Sequence, residues 1–277
     1  MKKLIKFPFA VVVILWKVAK AKQFGLYEKW NLFFVMNLLW IKAAKSNNRD
    51  NLIKQKVLKF NISAYGYHTL FYLLDEIFLQ QIYRFDSDSE KPTIVDCGAN
   101  IGISMLYFKY LYPGSTVYCF EPNPSVYKLL ETNVKRNDLT GVKLFNLALS
   151  DKEGSLDFYV GDEKGSFISS TDSSRGGTHI QVPSKCMSAV FPNQQFDLIK
   201  IDVEGSEWQI IKDLDKSKQL GMTKQYIIEY HHNLFGNDAK LGRFLDYFEK
   251  ENCVYTLKAD YEKPGNFQCL MIYVAMR

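Results

Sequence analysis

The stretch Ile94-Val-Asp-Cys-Gly-Ala-Asn-Ile-Gly-Ile-Ser104 decides the fold. It starts as an apolar, β-branched run two residues after Pro92, passes two glycines four apart, and continues with helical apolar spacing to Leu111. A buried strand over Thr93–Cys97 therefore turns directly into a helix over 101–111. Glycines at such a turn let the backbone approach a ligand closely. The helix N-terminus adds amide donors and the positive end of a dipole. Outward from this point strands and helices alternate. The next strands cover Thr116–Phe120, 142–147, 196–203 and 225–231, and helices cover 124–137, 206–214 and 238–251. That order predicts an α/β protein with a doubly wound, mainly parallel sheet. Cys253–Lys258 and 267–274, separated by a loop containing Pro264-Gly265, read as an antiparallel hairpin that reverses the last strand.

The turn reads G-A-N-I-G rather than the GxGxxG of nicotinamide enzymes, and Asp96 stands two residues before its first glycine. A carboxylate there suits a ligand that carries an ammonium group, such as the methionine part of S-adenosylmethionine, and suits a pyrophosphate poorly. Glu121 ends the following strand, where an acid accepts hydrogen bonds from both ribose hydroxyls of a nucleoside cofactor. Pro122-Asn-Pro124 then stops the strand and starts a helix.

The segments VDCGANIGISMLYF (95–108), VYCFEPNP (117–124), NLALSD (146–151) and DLIKIDVEGSEW (197–208) occur in this order. Together they resemble the FkbM family of class I S-adenosylmethionine-dependent methyltransferases over roughly residues 92–275. The resemblance implies a Rossmann-like, seven-stranded sheet with a reversed last strand. It places Asp96, Gly98 and Gly102 at the methionine and ribose of the cofactor, Glu121 on the ribose hydroxyls and Ala148 near the adenine. Asn100 and Asn123, inside the same motifs, complete the candidate cofactor set. Similar proteins methylate hydroxyls of sugars or of polyketide and other secondary-metabolite skeletons.

Methyl transfer to oxygen needs in-line positioning and a base for the hydroxyl proton. Lys200 and Asp202 are two apart and share a strand face, with Asp202 at the carboxyl end where ligands bind in open α/β sheets. Glu204 follows at a turn that Gly205 permits, while Glu229 and His231 share a face of the next strand. Should the two strands be neighbours, these groups converge, with His231 or Asp202 as the base. Glu207 is read as an acid decorating a first helical turn. Carboxylates and imidazole would also suit a divalent metal, but the spacing carries no metal signature and none is favoured. Tyr65, Tyr67, Tyr72 and Phe167 are candidates for an acceptor pocket, against ordinary packing.

Residues 1–60 hold 13 Lys/Arg against two Asp/Glu, whereas residues 61–277 hold 22 against 28. This asymmetry divides the chain into a basic helical extension, 1–91, and a methyltransferase domain, 92–277. The apolar runs 7–16 and 32–41 fall short of the about 20 residues a membrane-spanning helix needs. They suggest basic helices that either rest on an anionic membrane or cap the domain. The start imitates a signal peptide, but five unpaired, widely spaced cysteines favour a reducing compartment, so a cytoplasmic protein, peripheral on the inner membrane face, is expected. Residues 68–85 read as one helix, and the Ser/Gly-rich 165–177 as a lid.

The expected function is O-methylation of a sugar hydroxyl of a surface glycan or glycolipid precursor. The alternatives are a lipid or polyketide-type hydroxyl or, from another class, a non-catalytic or nucleic-acid-binding protein using the basic N-terminus. The acidic balance of the main domain speaks against a nucleic-acid groove. The sequence leaves the oligomeric state open.

Overall fold

The computed structural model describes residues 2–46, 50–161, 169–170, 177–233, 240–260, 262–263 and 266–277. The chain forms two compact units, one of residues up to Arg84 with Glu131–Leu139, the other running from Phe85 to Leu130 and from Thr140 onward.

In the first unit, helices α1 (Lys2–Lys20) and α2 (Leu26–Lys45) pack together and are followed by strands β1 (Leu52–Val57) and β2 (Phe60–Tyr65). Helix α2 buries Leu32, Val35, Met36 and Leu39, the spacing of one helical stripe. The two strands pair antiparallel around Leu58, a non-glycine residue at φ 52°. Strand β1 buries Ile53 and Val57 between exposed lysines, while β2 buries Phe60 and the run Ile62–Ala64. Asn133 bonds both the N–H and the C=O of Ser63, at 2.7 and 2.9 Å.

Residues 68–85 do not form one helix. Helix α3 covers Tyr67–Leu74, gives way to a π turn over Asp75–Leu79, and stops before Gln81 at φ 58°. Ile82, Tyr83 and Phe85 are buried all the same, so the apolar spacing there reported burial rather than helix. Lys17 anchors α1 on this turn through Asp75, at 2.8 Å.

The second unit carries β3 (Thr93–Cys97), α4 (Ile103–Leu111), β4 (Thr116–Phe120), the start of α5 (Pro124–Arg136), whose residues from Glu131 belong to the first unit, β5 (Val142–Phe145), β6 (Ala148–Ser150), β7 (Gly154–Val160), β8 (Ser169–Ser170) and β9 (Thr178–Cys186). Helix α6 (Met187–Val190), β10 (Phe196–Ile201), α7 (Glu207–Lys216), β11 (Thr223–His232), α8 (Leu241–Glu249), β12 (Cys253–Lys258) and β13 (Gln268–Met276) complete it.

Seven strands form one sheet in the order β12-β13-β11-β10-β3-β4-β5. The pairs β11–β10, β10–β3, β3–β4 and β4–β5 are parallel, and β13 runs antiparallel to both of its neighbours. The doubly wound sheet and the reversed last strand thus stand as the sequence predicts. The strand order reverses between β3 and β10, and ligands bind such sheets at the carboxyl ends flanking that point. On one face Ile199, Ile201, Tyr226, Ile228 and Val274 pack under α7 and α8 through Ile210, Ile211, Phe244 and Phe248.

The expected strand 142–147 is shorter. It ends at Phe145 because the Asn146 side chain donates to the carbonyls of Glu121 (2.8 Å) and Pro122 (3.1 Å). Ala148 then opens a second sheet, ordered β6-β9-β7-β8, which the sequence analysis missed. Of the 165–177 stretch, only Ser169, Ser170 and Gly177 lie among the described residues. Phe167, Pro264 and Gly265 lie outside them, as does the start of the expected helix 238–251.

Candidate active site

The Gly98–Gly102 loop is held from below by a buried cation. Lys200, on β10 directly opposite Asp96 on β3, is 1% exposed. Its Nζ lies 3.1 Å from Asp96 Oδ1 and 3.5 Å from Asp202 Oδ2. It also donates to the carbonyls of Gly98 (2.7 Å) and Cys97 (3.2 Å). Burial alone would pull the lysine's pKa down, but Asp96 and Asp202 reverse this and raise it. Asp96, fully buried, also accepts a hydrogen bond from Ser104 Oγ of α4. The carboxylate that the sequence offered to a ligand's ammonium therefore already faces an ammonium of the chain itself. Burial pushes the thiols of Cys97 and Cys119 up, and all five cysteines are free.

Gly98 sits at φ 78°, and a Cβ there would lie 1.8 Å from the Asp202 carbonyl oxygen. The β3 turn and the end of β10 touch, so only glycine fits. Asn100 (φ 50°) and Gly102 (φ 90°) carry the turn into α4. Glu121 at the end of β4 is the hinge of the arrangement. Its Oε2 accepts from the Asn100 N–H (3.0 Å) and its Oε1 from the Asn123 N–H (2.9 Å). One carboxylate thereby orders both loops and keeps lone pairs on each oxygen for further donors. Burial pushes its pKa up to about 7, against the lowering effect of these two N–H groups. Asn123's own side chain caps α5, accepting from Ser125 N–H at 3.0 Å. Ala148 is buried at the start of β6, beside Phe158 and Val182.

A second cluster forms at the carboxyl ends of β10 and β11, which are neighbours as the sequence argument required. His231 is buried between two carboxylates, with Nδ1 2.8 Å from Glu207 Oε1 and Nε2 3.2 Å from Glu204 Oε2. Burial disfavours its charged form. Glu207, Cys269 and Glu204 outweigh that and hold its pKa well above the ordinary imidazole value. An imidazolium with both N–H groups engaged has no lone pair for a substrate proton. His231, one of the two candidate bases, is therefore poorly suited to that role in this state. Asp202, Glu204 and His231 place ligand atoms within 4.8 Å of one another, and Glu229, His231 and Cys269 do likewise. Glu204 takes φ 56° and Gly205 φ 111°, the turn that brings Glu204 round beside Asp202. Lys200 links the loop to this cluster through Asp202, at 3.5 Å.

Glu207, read from sequence as a helix-end decoration, is 3% exposed; it accepts from both His231 and the Gly205 N–H (2.9 Å). The signal that could have found it is its place three residues after Glu204, at the first residue of the following helix. Ser104, Asp96's partner, was quoted in the motif without a role. Tyr65, Tyr67 and Tyr72 all belong to the first unit, Tyr67 lying under Lys42 at 5.1 Å.

The residues present fit a nucleoside cofactor. The ordered carboxylate at the end of β4 and the glycine turn opening onto α4 are what a ribose and its substituents require. With the strand order above, they define a class I methyltransferase, a fold that binds S-adenosylmethionine. The chain belongs to a known family of these enzymes, since residues 96–257 match the Methyltransferase FkbM domain. It is 32% identical to methyltransferase sdnD of Sordaria araneosa over 178 residues, 52% of this chain and 69% of sdnD. It is 35% identical to the 31-O-demethyl-FK506 methyltransferase FkbM of Streptomyces tacrolimicus over 85 residues, 30% of this chain and 32% of that one. With the 2-O-methyltransferase NoeI of Sinorhizobium fredii it shares 34% over 74 residues, 27% of this chain and 30% of NoeI. The chain thus spans only about a third of the latter two relatives.

Proposed function

We propose that this methyltransferase acts on a hydroxyl oxygen, in the first place that of a sugar in a surface glycan or its lipid-linked precursor. The observation that carries the reading is the cluster of Asp202, Glu204 and His231 beside the Gly98 turn. It sets proton-accepting and hydrogen-bonding groups at the carboxyl ends of β10 and β11, beside the turn that this reading gives to the cofactor. The cofactor supplies an electrophilic methyl group on a sulfonium. Glu121 would hold its ribose hydroxyls, and the turn 98–102 would let the backbone lie against it. Asp202, with a side chain 24% exposed beside Lys200, takes the role of base, and Glu204, held in place by His231, orients the acceptor. The names of FkbM and NoeI support oxygen as the acceptor atom. A lipid or polyketide-type hydroxyl is the second reading.

Incubation with labelled methyl donor and a glycan or lipid extract tests this. A labelled O-methyl product is expected, with kcat falling about 100-fold or more in Asp202→Asn. Product formed at the wild-type rate by that variant would remove Asp202 as the base.

The lipid link rests on the first unit. Among the described residues no helix is long and apolar enough to cross a membrane. Phe9, Val12 and Trp16 of α1, and Tyr27, Trp30 and Phe34 of α2, are nevertheless exposed, with Lys20 stacked over Trp16 at 3.7 Å. Exposed aromatic rings interleaved with lysines suit an anionic lipid surface. Sedimentation with anionic vesicles is expected, and each of Trp16→Ser and Trp30→Ser should weaken it about tenfold. Equal recovery in the supernatant with and without vesicles would remove the lipid-linked acceptor.

A further inference from the structure

The imidazole of His231 is not merely buried; it is aimed. Glu207, itself almost fully buried, takes the Nδ1 side at 2.8 Å and fixes the ring plane. Nε2 is thereby presented to the mouth of the cluster, where the carboxylates of Asp202 and Glu204 also arrive. A carboxylate behind the ring and two carboxylates before it is how proteins orient a histidine for a metal ion, the outer partner setting tautomer and direction. The three prospective ligand atoms lie within 4.8 Å of one another. Ligands about 2.1 Å from one ion stand about 3 to 4 Å apart, so modest side-chain rotations close the set.

We propose that Asp202, Glu204 and His231 form a binding site for a divalent cation of the Mn(II) or Mg(II) kind. The ion replaces the proton on His231 Nε2, while Glu207 keeps its hold on Nδ1. Two carboxylates with one imidazole form a hard-to-borderline ligand set, and three protein ligands leave positions open for oxygen. Within the methyltransferase reading, on which this role rests, an acceptor hydroxyl fills one open position. Asp202 gives one oxygen to the ion and keeps the other for the acceptor's proton. Glu229 and Cys269 also lie near His231, but they include a thiol, and they are not part of the turn that touches Gly98.

The test is a titration of the full chain with Mn(II), read as loss of the free-ion electron paramagnetic resonance signal, without donor or acceptor. One saturable site is expected, displaced by Mg(II). Asp202→Asn and Glu204→Gln, which keep side-chain shape, should each weaken it about tenfold or more, as should Glu207→Ala through loss of ring orientation. Glu121→Gln should leave it unchanged while impairing donor binding, so failure of the metal site and of the methyltransferase reading are told apart. No saturable binding by folded protein up to about 10 mM Mn(II), above the weakest dedicated divalent-cation sites at about 1 mM, overturns the proposal. Binding that survives both carboxamide substitutions overturns it equally, and moves the ion to Cys269.

Discussion

Glu121→Gln is expected to weaken binding of S-adenosylmethionine about 100-fold or more, measured by calorimetry. Two hydroxyl-to-carboxylate hydrogen bonds are lost as charge-assisted bonds, each contributing about 1.5–3 kcal/mol. The amide also matches only one of the two backbone N–H groups that now converge on the carboxylate. The wild-type chain carries a pH signature of the same residue. Burial raises its pKa to about 7, so near neutrality part of the population holds a neutral carboxyl. Donating hydroxyls prefer the carboxylate, hence affinity rises with pH through about 7 and levels off above it. The clean probe is 5′-methylthioadenosine, which keeps the ribose diol and lacks the titrating amine. Its affinity should grow about tenfold between pH 6 and pH 8 and lose that dependence in Glu121→Gln. The sign for stability is opposite. A carboxyl raised above its ordinary 4.5 favours the folded state on the acid side, and that contribution fades as pH rises from 4.5 through about 7. A flat affinity profile in the wild-type chain would mean that Glu121 does not meet the diol.

Lys200→Met is expected to be the most destabilising single change in the sheet. It leaves Asp96, fully buried, with Ser104 alone, and removes the donor that pins the carbonyls of Cys97 and Gly98. Removing one partner of a buried ion pair costs about 3–5 kcal/mol, because the remaining charge keeps its desolvation cost. For a unit of this size that is a fall in Tm of about 10 °C, read by calorimetry or circular dichroism. The double variant Asp96→Asn with Lys200→Met should recover much of the loss, since neither charge is then stranded. A double-mutant cycle is expected to show coupling of about 2 kcal/mol or more. Purely additive losses would mean that the two side chains do not act as a pair.

Much of the second unit was legible because its elements are local. The β-branched run at 93–97, the paired glycines and the acid of Glu121 are signals carried within a few residues, and the reversed hairpin follows from two strands with one short loop. What was not legible depended on partners far along the chain. The second sheet joins Ala148 to Ser184 and Gly154 to Ser184, pairings that no local period reports. The first hairpin is masked because the lysines of its first strand read as basic surface and its second strand buries three residues in a row instead of alternating. Residues 82–85 kept helical apolar spacing although they only fill the core.

The sequence by itself determined that a ligand-bearing turn joins the first strand of a parallel sheet to its helix, and that an acid waits at the end of the next strand. Backbone freedom at glycine and alternation of apolar residues act over short range, so they survive as pattern. Only the tertiary structure decided whom each charge meets. It paired Asp96 with Lys200 across the strands, and made Glu207, read as a helix-end acid, the group that aims His231. The physical reason is that a buried charge must be neutralised by whatever stands opposite. Which residue that is follows from strand register and helix packing, not from neighbours in the chain.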